Sequence, residues 1–142
     1  MTIRITKLHP NAIIPTYATP GSACFDLHIL EDAVVPPRGA AFLRTGLVFG
    51  LPPGHVLFIF ARSSLYKKYG LQLANQVGIV DSDYGGPEDE CYIYVRNPGD
   101  MSVPLTAGLR LAQVMILPYP QITFKEGPAD KPSRGGWGST GA

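Results

Sequence analysis

The sequence predicts an all-β domain of short strands with one short helix and a flexible glycine-rich C-terminal tail. Three observations carry this. Sixteen glycines and fourteen prolines in 142 residues punctuate the chain too often for long helices and favour short strands joined by turns. The stretches between these breakers are short apolar or alternating runs, such as I-R-I-T-K-L near the N-terminus and V-L-F-I-F from Val56. From Lys125 onward the chain holds five glycines, two prolines and one large apolar residue, which cannot build a core. The expected organisation is a core domain over residues 1–124 and a flexible tail over residues 125–142.

Size and charge narrow the function. A chain of 142 residues is long enough for one domain with its own core. Charged residues are 16% and hydrophobic residues 45%, so few charges remain to coat an exterior and contact between copies is expected. A net charge of +1 leaves no broad electrostatic footprint, so stable nucleic-acid binding is not expected. No apolar run approaches membrane-spanning length and the N-terminus lacks a secretory apolar segment, which makes a cytoplasmic protein the expectation. Cys24 and Cys91 form no metal-ligand spacing and are read as buried, inert thiols. His9, His28 and His55 are scattered and suggest no zinc site.

Taken in order, Thr2–Leu8 alternates as a first strand and His9-Pro10 ends it. Pro15–Gly21 is a loop. Ser22–Ile29 is a second strand with Asp26 among apolar neighbours; alternation puts the acid on the solvent face, and burial would demand a partner. After the Pro36–Gly39 turn come strands over Ala40–Phe49 and His55–Phe60, the latter apolar on both faces and therefore central or at a subunit contact. Ser63 or Ser64 caps a short helix that Gly70 closes. Leu71–Ala74 and Val77–Val80 form a β-hairpin around Asn75-Gln76. Further strands follow over Glu90–Arg96, Ser102–Leu105, Leu109–Leu117 and Ile122–Phe124.

Two stretches carry chemistry. The helix start brings Arg62, Ser63 and Ser64 together, an arrangement of guanidinium and hydroxyls suited to an anion. The run V-G-I-V-D-S-D-Y-G-G, Val77–Gly86, ends a strand in two acids, an aromatic and a glycine turn. Period-2 alternation does not choose between Asp81 and Asp83 as the acid that faces a ligand. The tail segment G-G-W-G-S-T-G joins amides and hydroxyls to an aromatic that can stack, without the spacing of a P-loop.

Five motifs in order resemble the trimeric dUTPase family along nearly the whole chain: P-G-S-A-C-F-D-L (Pro20–Leu27), A-R-S-S-L (Ala61–Leu65), G-I-V-D-S-D-Y-G-G (Gly78–Gly86), A-G-L-R-L-A-Q (Ala107–Gln113) and R-G-G-W-G-S-T-G (Arg134–Gly141). The resemblance implies a jelly-roll-like distorted barrel and a homotrimer with sites at subunit interfaces. It implies hydrolysis of dUTP to dUMP and pyrophosphate with Mg²⁺. By position, Asp81 matches the general base that activates water. Asp26 matches the acid that meets the metal through water. Arg62, Ser63, Ser64 and Gln113 match phosphate-binding positions. Asn75 and Gly78 match the uracil-reading element, and Tyr84 the ring on deoxyribose. Trp137 stands where the family has Phe over uracil. Arg134, Gly138, Ser139 and Thr140 match the tail that grips the γ-phosphate.

The sequence departs from the family pattern at three places. Pro87-Glu88-Asp89 reads as an insertion. Leu109 stands where an acid is usual. Arg134 lies only three residues before Trp137, so Lys131 is an alternative phosphate-binding cation. Two other readings compete: a dCTP deaminase of the same fold, in which Tyr94 would occupy the position of the catalytic glutamate, and a catalytically silent nucleotide-binding trimer.

Overall fold

The computed structural model describes residues 1–136. In chain order the strands are β1 (Arg4–Lys7), β2 (Phe25–His28), β3 (Ala33–Val35), β4 (Ala40–Arg44), β5 (Leu47–Gly50) and β6 (His55–Ala61). After helix α1 (Ser64–Tyr69) come β7 (Gln72–Leu73), β8 (Gly78–Val80), β9 (Tyr92–Arg96), β10 (Val103–Leu105) and β11 (Arg110–Pro118). All pairings are antiparallel. The strands form a four-stranded sheet in the order β2-β11-β6-β8, a three-stranded sheet β4-β9-β7, and the pairs β1-β5 and β10-β3. The result is a mostly-β, jelly-roll-like fold with one short helix among the described residues.

Alternation places the core as expected. In β2, Phe25 and Leu27 are buried while Asp26 and His28 face outward. Leu27, Leu57, Ile93, Leu111 and Val114 point inward from different strands into one cluster. β6 is flanked by β11 and β8, which explains its apolar run. Its outward residues Phe58 and Phe60 stack at 5.9 Å on the sheet exterior. Among the described residues no helix is long and apolar enough to cross a membrane.

Several expectations are corrected. Ala40–Phe49 is two strands, because the chain changes sheets at Thr45-Gly46: β4 pairs with β9 and β5 with β1. Gly46 has φ +68°, and a Cβ there would lie 2.8 Å from the Ala12 Cβ. The Asn75 hairpin carries no ladder between its arms, since β7 pairs with β9 and β8 with β6. Its turn is held instead by Gln76 N–H to Leu73 O at 3.3 Å and Val77 N–H to Asn75 O at 2.6 Å, with Gln76 at φ +61°. The short strand β3 escaped notice because it spans only Ala33–Val35. Finally, Ile122–Phe124 forms no strand: β11 ends at Pro118, Pro120 follows, and Ile122 and Phe124 are exposed.

Helix α1 closes as expected. Gly70 takes a left-handed conformation and donates to Tyr66 O at 2.8 Å. Ser63 stands at the N-cap but makes no side-chain capping bond. The thiols differ: Cys91 is buried and Cys24 only half-buried, which corrects the expectation that both lie inside.

Candidate active site

The sequence-read residues fall into two clefts. The first, of about 330 Å³, is lined by Asp26, Arg62, Ser63 and Gln113 together with Ser22 and Cys24. Sheet register builds it from distant segments: Asp26 of β2 faces Gln113 of β11, which faces Phe60 of β6 just before Arg62. Asp26 is held from both sides. Arg62 Nε lies 2.9 Å from Oδ1 and Arg110 Nη1 lies 3.1 Å from Oδ2. Arg62 Nη1 also donates to the Arg110 carbonyl at 3.0 Å. The pairing of β2 with β11 shifts register between Arg110 and Ala112, and such an irregularity re-aims a side chain. Gln113 Nε2 donates to Ala61 O at 3.0 Å, leaving its carbonyl oxygen free of that bond. His28, facing Arg110, has its pKa lowered first by desolvation and then by Arg110 and Arg62, against the opposing pull of Asp26.

The second cleft, of about 280 Å³, is lined by Asn75, Gly78, Asp81 and Tyr84 against Phe42, Tyr92 and Tyr94. It exists because β7 and β8 part company. The chain between them crosses from one sheet to the other, so the backbone of Asn75–Gly78 borders a gap rather than a ladder. Gly78 fits here for want of a side chain: a Cβ would lie 3.0 Å from the Ile59 Cβ. In the aromatic wall the Phe42 and Tyr94 rings stack at 4.0 Å and 4°. Asp81 O accepts the Tyr84 N–H at 3.1 Å, closing the turn that sets the acid beside the ring. Asp81 lines this cleft; Asp83 is not among its lining residues.

Tyr84 is tethered as well. Its hydroxyl donates to the Glu90 carbonyl at 3.2 Å. Its pKa is raised, first by desolvation and then by the negative charge of Asp89. Beneath it, burial pushes the Cys91 thiol up to about 12, with Glu90 adding to the effect.

Register measures the distance between the clefts. Asp26 stands level with Phe60, and Asp81 one step beyond Val80, level with Val56. Three inter-strand steps of about 4.8 Å and four residues of about 3.3 Å separate these positions by roughly 20 Å. That greatly exceeds the few ångströms from an α-phosphorus to the γ-phosphate of one nucleotide.

Sequence reasoning did not select Arg110, Arg44 or Glu90. Arg110 had a signal, as a lone cation in an apolar strand. Arg44 and Glu90 had none, because only the sheet change at Thr45-Gly46 brings them together. Among the described residues no group of three histidine, cysteine or acidic side chains is placed to hold a metal ion. Ser64 is half-buried as the first residue of α1. Lys131 and Arg134 are exposed beyond the core. Trp137, Gly138, Ser139 and Thr140 lie outside the described residues.

A family model described as dUTPase matches residues 10–141. The chain belongs to the dUTPase family. It is 42% identical over 145 residues to a Wolinella succinogenes protein named deoxyuridine 5'-triphosphate nucleotidohydrolase, covering 99% of this chain and 95% of that one. Its fold is similar to the crystal structure of dUTPase from Streptococcus mutans, with a TM-score of 0.78 and 29% identity over 87% of this chain and 100% of that one. A mutant dUTPase from phage phi11 of S. aureus, described as coordinating a structural Mg(II) ion, shares the fold at a TM-score of 0.83 and 20% identity, covering 92% of this chain and 99% of that one.

Proposed function

We propose that each complete site is made by two copies of this dUTPase-family chain, one offering the Asn75–Tyr84 cleft and the other the Asp26–Gln113 cleft, within a homotrimer. Family membership makes the chain a dUTP diphosphatase, releasing dUMP and pyrophosphate. The observation that carries the shared site is the separation of roughly 20 Å between Asp26 and Asp81 in one chain. A partly exposed apolar face supports it: Phe58, Phe60 and Met115, each half-buried, share the outer side of the four-stranded sheet with Ile79, which is 61% exposed.

In this reading the backbone and side chain of Asn75, with Gly78, meet the uracil edge. A site that hydrogen-bonds a base edge rejects the wrong pattern far better than an apolar pocket. Tyr84 packs on the sugar and leaves no room for a 2'-hydroxyl. Asp81 takes a proton from water as the water oxygen bonds to the α-phosphorus. The bridging bond to the β-phosphate breaks, and pyrophosphate leaves with those electrons. Arg62, Ser63, Ser64 and Gln113 of the other copy bind the phosphates, and Asp26 holds the Arg62 guanidinium toward them. Arg134 or Lys131, with Gly138, Ser139 and Thr140, binds the γ-phosphate, and Trp137 stacks over the base.

The donor set fits Mg²⁺ as an ion that arrives with the triphosphate. Asp26 carries both arginines, yet a carboxylate has about four acceptor sites, so it retains room for a metal-bound water. When bound, the ion supplies charge screening of the phosphates. A cytoplasmic enzyme of this kind limits uracil incorporation into DNA and supplies dUMP for dTMP synthesis.

A nucleotide panel with pyrophosphate detection tests the reading. Release from dUTP, with little from dCTP, dTTP or UTP, is expected. Ammonia from dCTP would favour the deaminase, and tight dUTP binding without pyrophosphate would favour the silent trimer. Truncation before Arg134 is expected to abolish activity while leaving the trimer; an active truncated trimer would show the tail to be idle.

A further inference from the structure

We propose that Glu90 is a positioning residue for Tyr84: its buried carboxylate fixes the carbonyl that tethers the Tyr84 hydroxyl, and through it the discrimination between deoxyribose and ribose. This rests on the reading of Tyr84 as the ring that packs on the sugar.

Glu90 is 4% exposed, an unusual place for an acid on a loop beside a site. Its oxygens are fully engaged by the sheet change between β4 and β5. Arg44 Nε and Nη2 each lie 3.1 Å from Oε2, and the Gly46 N–H donates to Oε1 at 2.7 Å. Residue 91 is fixed to the same segment: the Thr45 hydroxyl donates to Cys91 O, and the Cys91 N–H donates to Leu47 O at 2.8 Å. The peptide carrying the Glu90 carbonyl is therefore held on both sides, and that carbonyl accepts the Tyr84 hydroxyl.

Pro87–Asp89, which read as an insertion against the family pattern, make this tether matter. They lengthen the arc between the Tyr84 turn and β9. The arc is folded onto itself by Gly86 N–H to Asp89 Oδ2 at 2.7 Å and Asp89 N–H to Gly86 O at 3.2 Å. Those bonds close the loop but do not attach it to the core. Glu90 does. Without its anchor the ring of Tyr84, 41% exposed, has one tether fewer against the movement that would admit a 2'-hydroxyl.

The test uses the full-length protein and four variants: Tyr84→Phe, Glu90→Gln, the two combined, and Arg44→Met, with kcat and KM for dUTP and UTP and thermal unfolding for each. Tyr84→Phe is expected to cut the dUTP over UTP preference about 5- to 10-fold, mostly through KM, without lowering the unfolding temperature. Glu90→Gln and Arg44→Met are expected to move the preference the same way by about threefold, and the combined variant no further than Tyr84→Phe alone. If Glu90→Gln or Arg44→Met lowers only the unfolding temperature, the pair is structural and the proposal fails. It fails equally if Tyr84→Phe keeps the wild-type preference, a result that does not depend on Glu90→Gln folding. Failure of the underlying reading looks different: the wild-type enzyme itself would then show no preference for dUTP over UTP.

Discussion

The two clefts are built in opposite ways. The Asn75–Tyr84 cleft comes largely from one continuous stretch, and its walls are backbone, aromatic rings and the buried Glu90. The Asp26–Gln113 cleft comes from three strands far apart in sequence, and its substance is charge: one carboxylate between two guanidiniums. In the proposed reading the first reads a shape and the second holds an anion. A shape-reading cleft needs a rigid scaffold beneath it, while a charge-holding cleft needs its side chains aimed. Each should therefore fail in its own way when changed.

Asp81→Asn should give the largest effect. In the proposed reading this removes the base, and kcat is expected to fall by roughly 10²–10⁴ with the fold intact, measured by pyrophosphate release and unfolding temperature. Mixing makes the comparison sharper. Asp81→Asn chains and Arg62→Ala chains should each be inactive alone. If the clefts of neighbouring copies form one site, co-refolding equal amounts should restore about a quarter of the sites, the statistical share in which an intact cleft of each kind meets. No recovery in a refolded mixed trimer would show that each chain works alone.

Gly46→Ala should come next, and it strikes the scaffold under the shape-reading cleft. The left-handed φ of +68° and a 2.8 Å approach to Ala12 together should cost roughly 2–3 kcal/mol in denaturant unfolding. If the cleft depends on its scaffold as described, KM should rise as well, because Gly46 also donates to Glu90. Unchanged stability would mean that the sheet change is soft.

Asp26→Asn strikes the other cleft. Its partners Arg62 and Arg110 are 28% and 50% exposed, so solvent screens much of the pairing and the stability loss should stay near 1 kcal/mol. The kinetic effect should be larger: KM for dUTP is expected to rise about tenfold as Arg62 loses its orientation. A variant with lost stability and normal KM would reverse the roles assigned to the two clefts.

This contrast also explains what could be read from the sequence. Contiguous pieces were legible: the Val77–Gly86 stretch, the α1 start and its Gly70 stop all announce themselves by local pattern. Asp26 was legible as an acid in an apolar strand, but its pairing with Arg62 and Arg110 was not, since they meet it only through the register of β2, β11 and the end of β6. The two sheet changes, at Thr45-Gly46 and at Asn75-Gln76, were misread as a continuous strand and a hairpin. Periodicity reports which face a residue takes and is silent on which neighbour the strand chooses. The Glu90–Arg44 pair depends on the first of those changes and was invisible for the same reason.

The smallest predicted effect separates the clefts by their cysteines. Cys91 lies buried at the base of the shape-reading cleft and Cys24 half-buried in the other. With its folded pKa raised from 9.0 to about 12, Cys91 keeps its proton in the folded state after the unfolded chain has released it. The unfolded state is therefore favoured as pH climbs above 9, and the stability present below that pH is lost progressively up to the folded value, at about 1.4 kcal/mol per pH unit once the unfolded thiol is ionised. Between pH 9 and 10 the wild type should lose about 1 kcal/mol more than Cys91→Ala, in which the small cavity is a constant offset and the titration is gone. Parallel pH profiles for the wild type and Cys91→Ala would mean that water reaches the thiol, and the cleft floor would then be looser than its packing indicates.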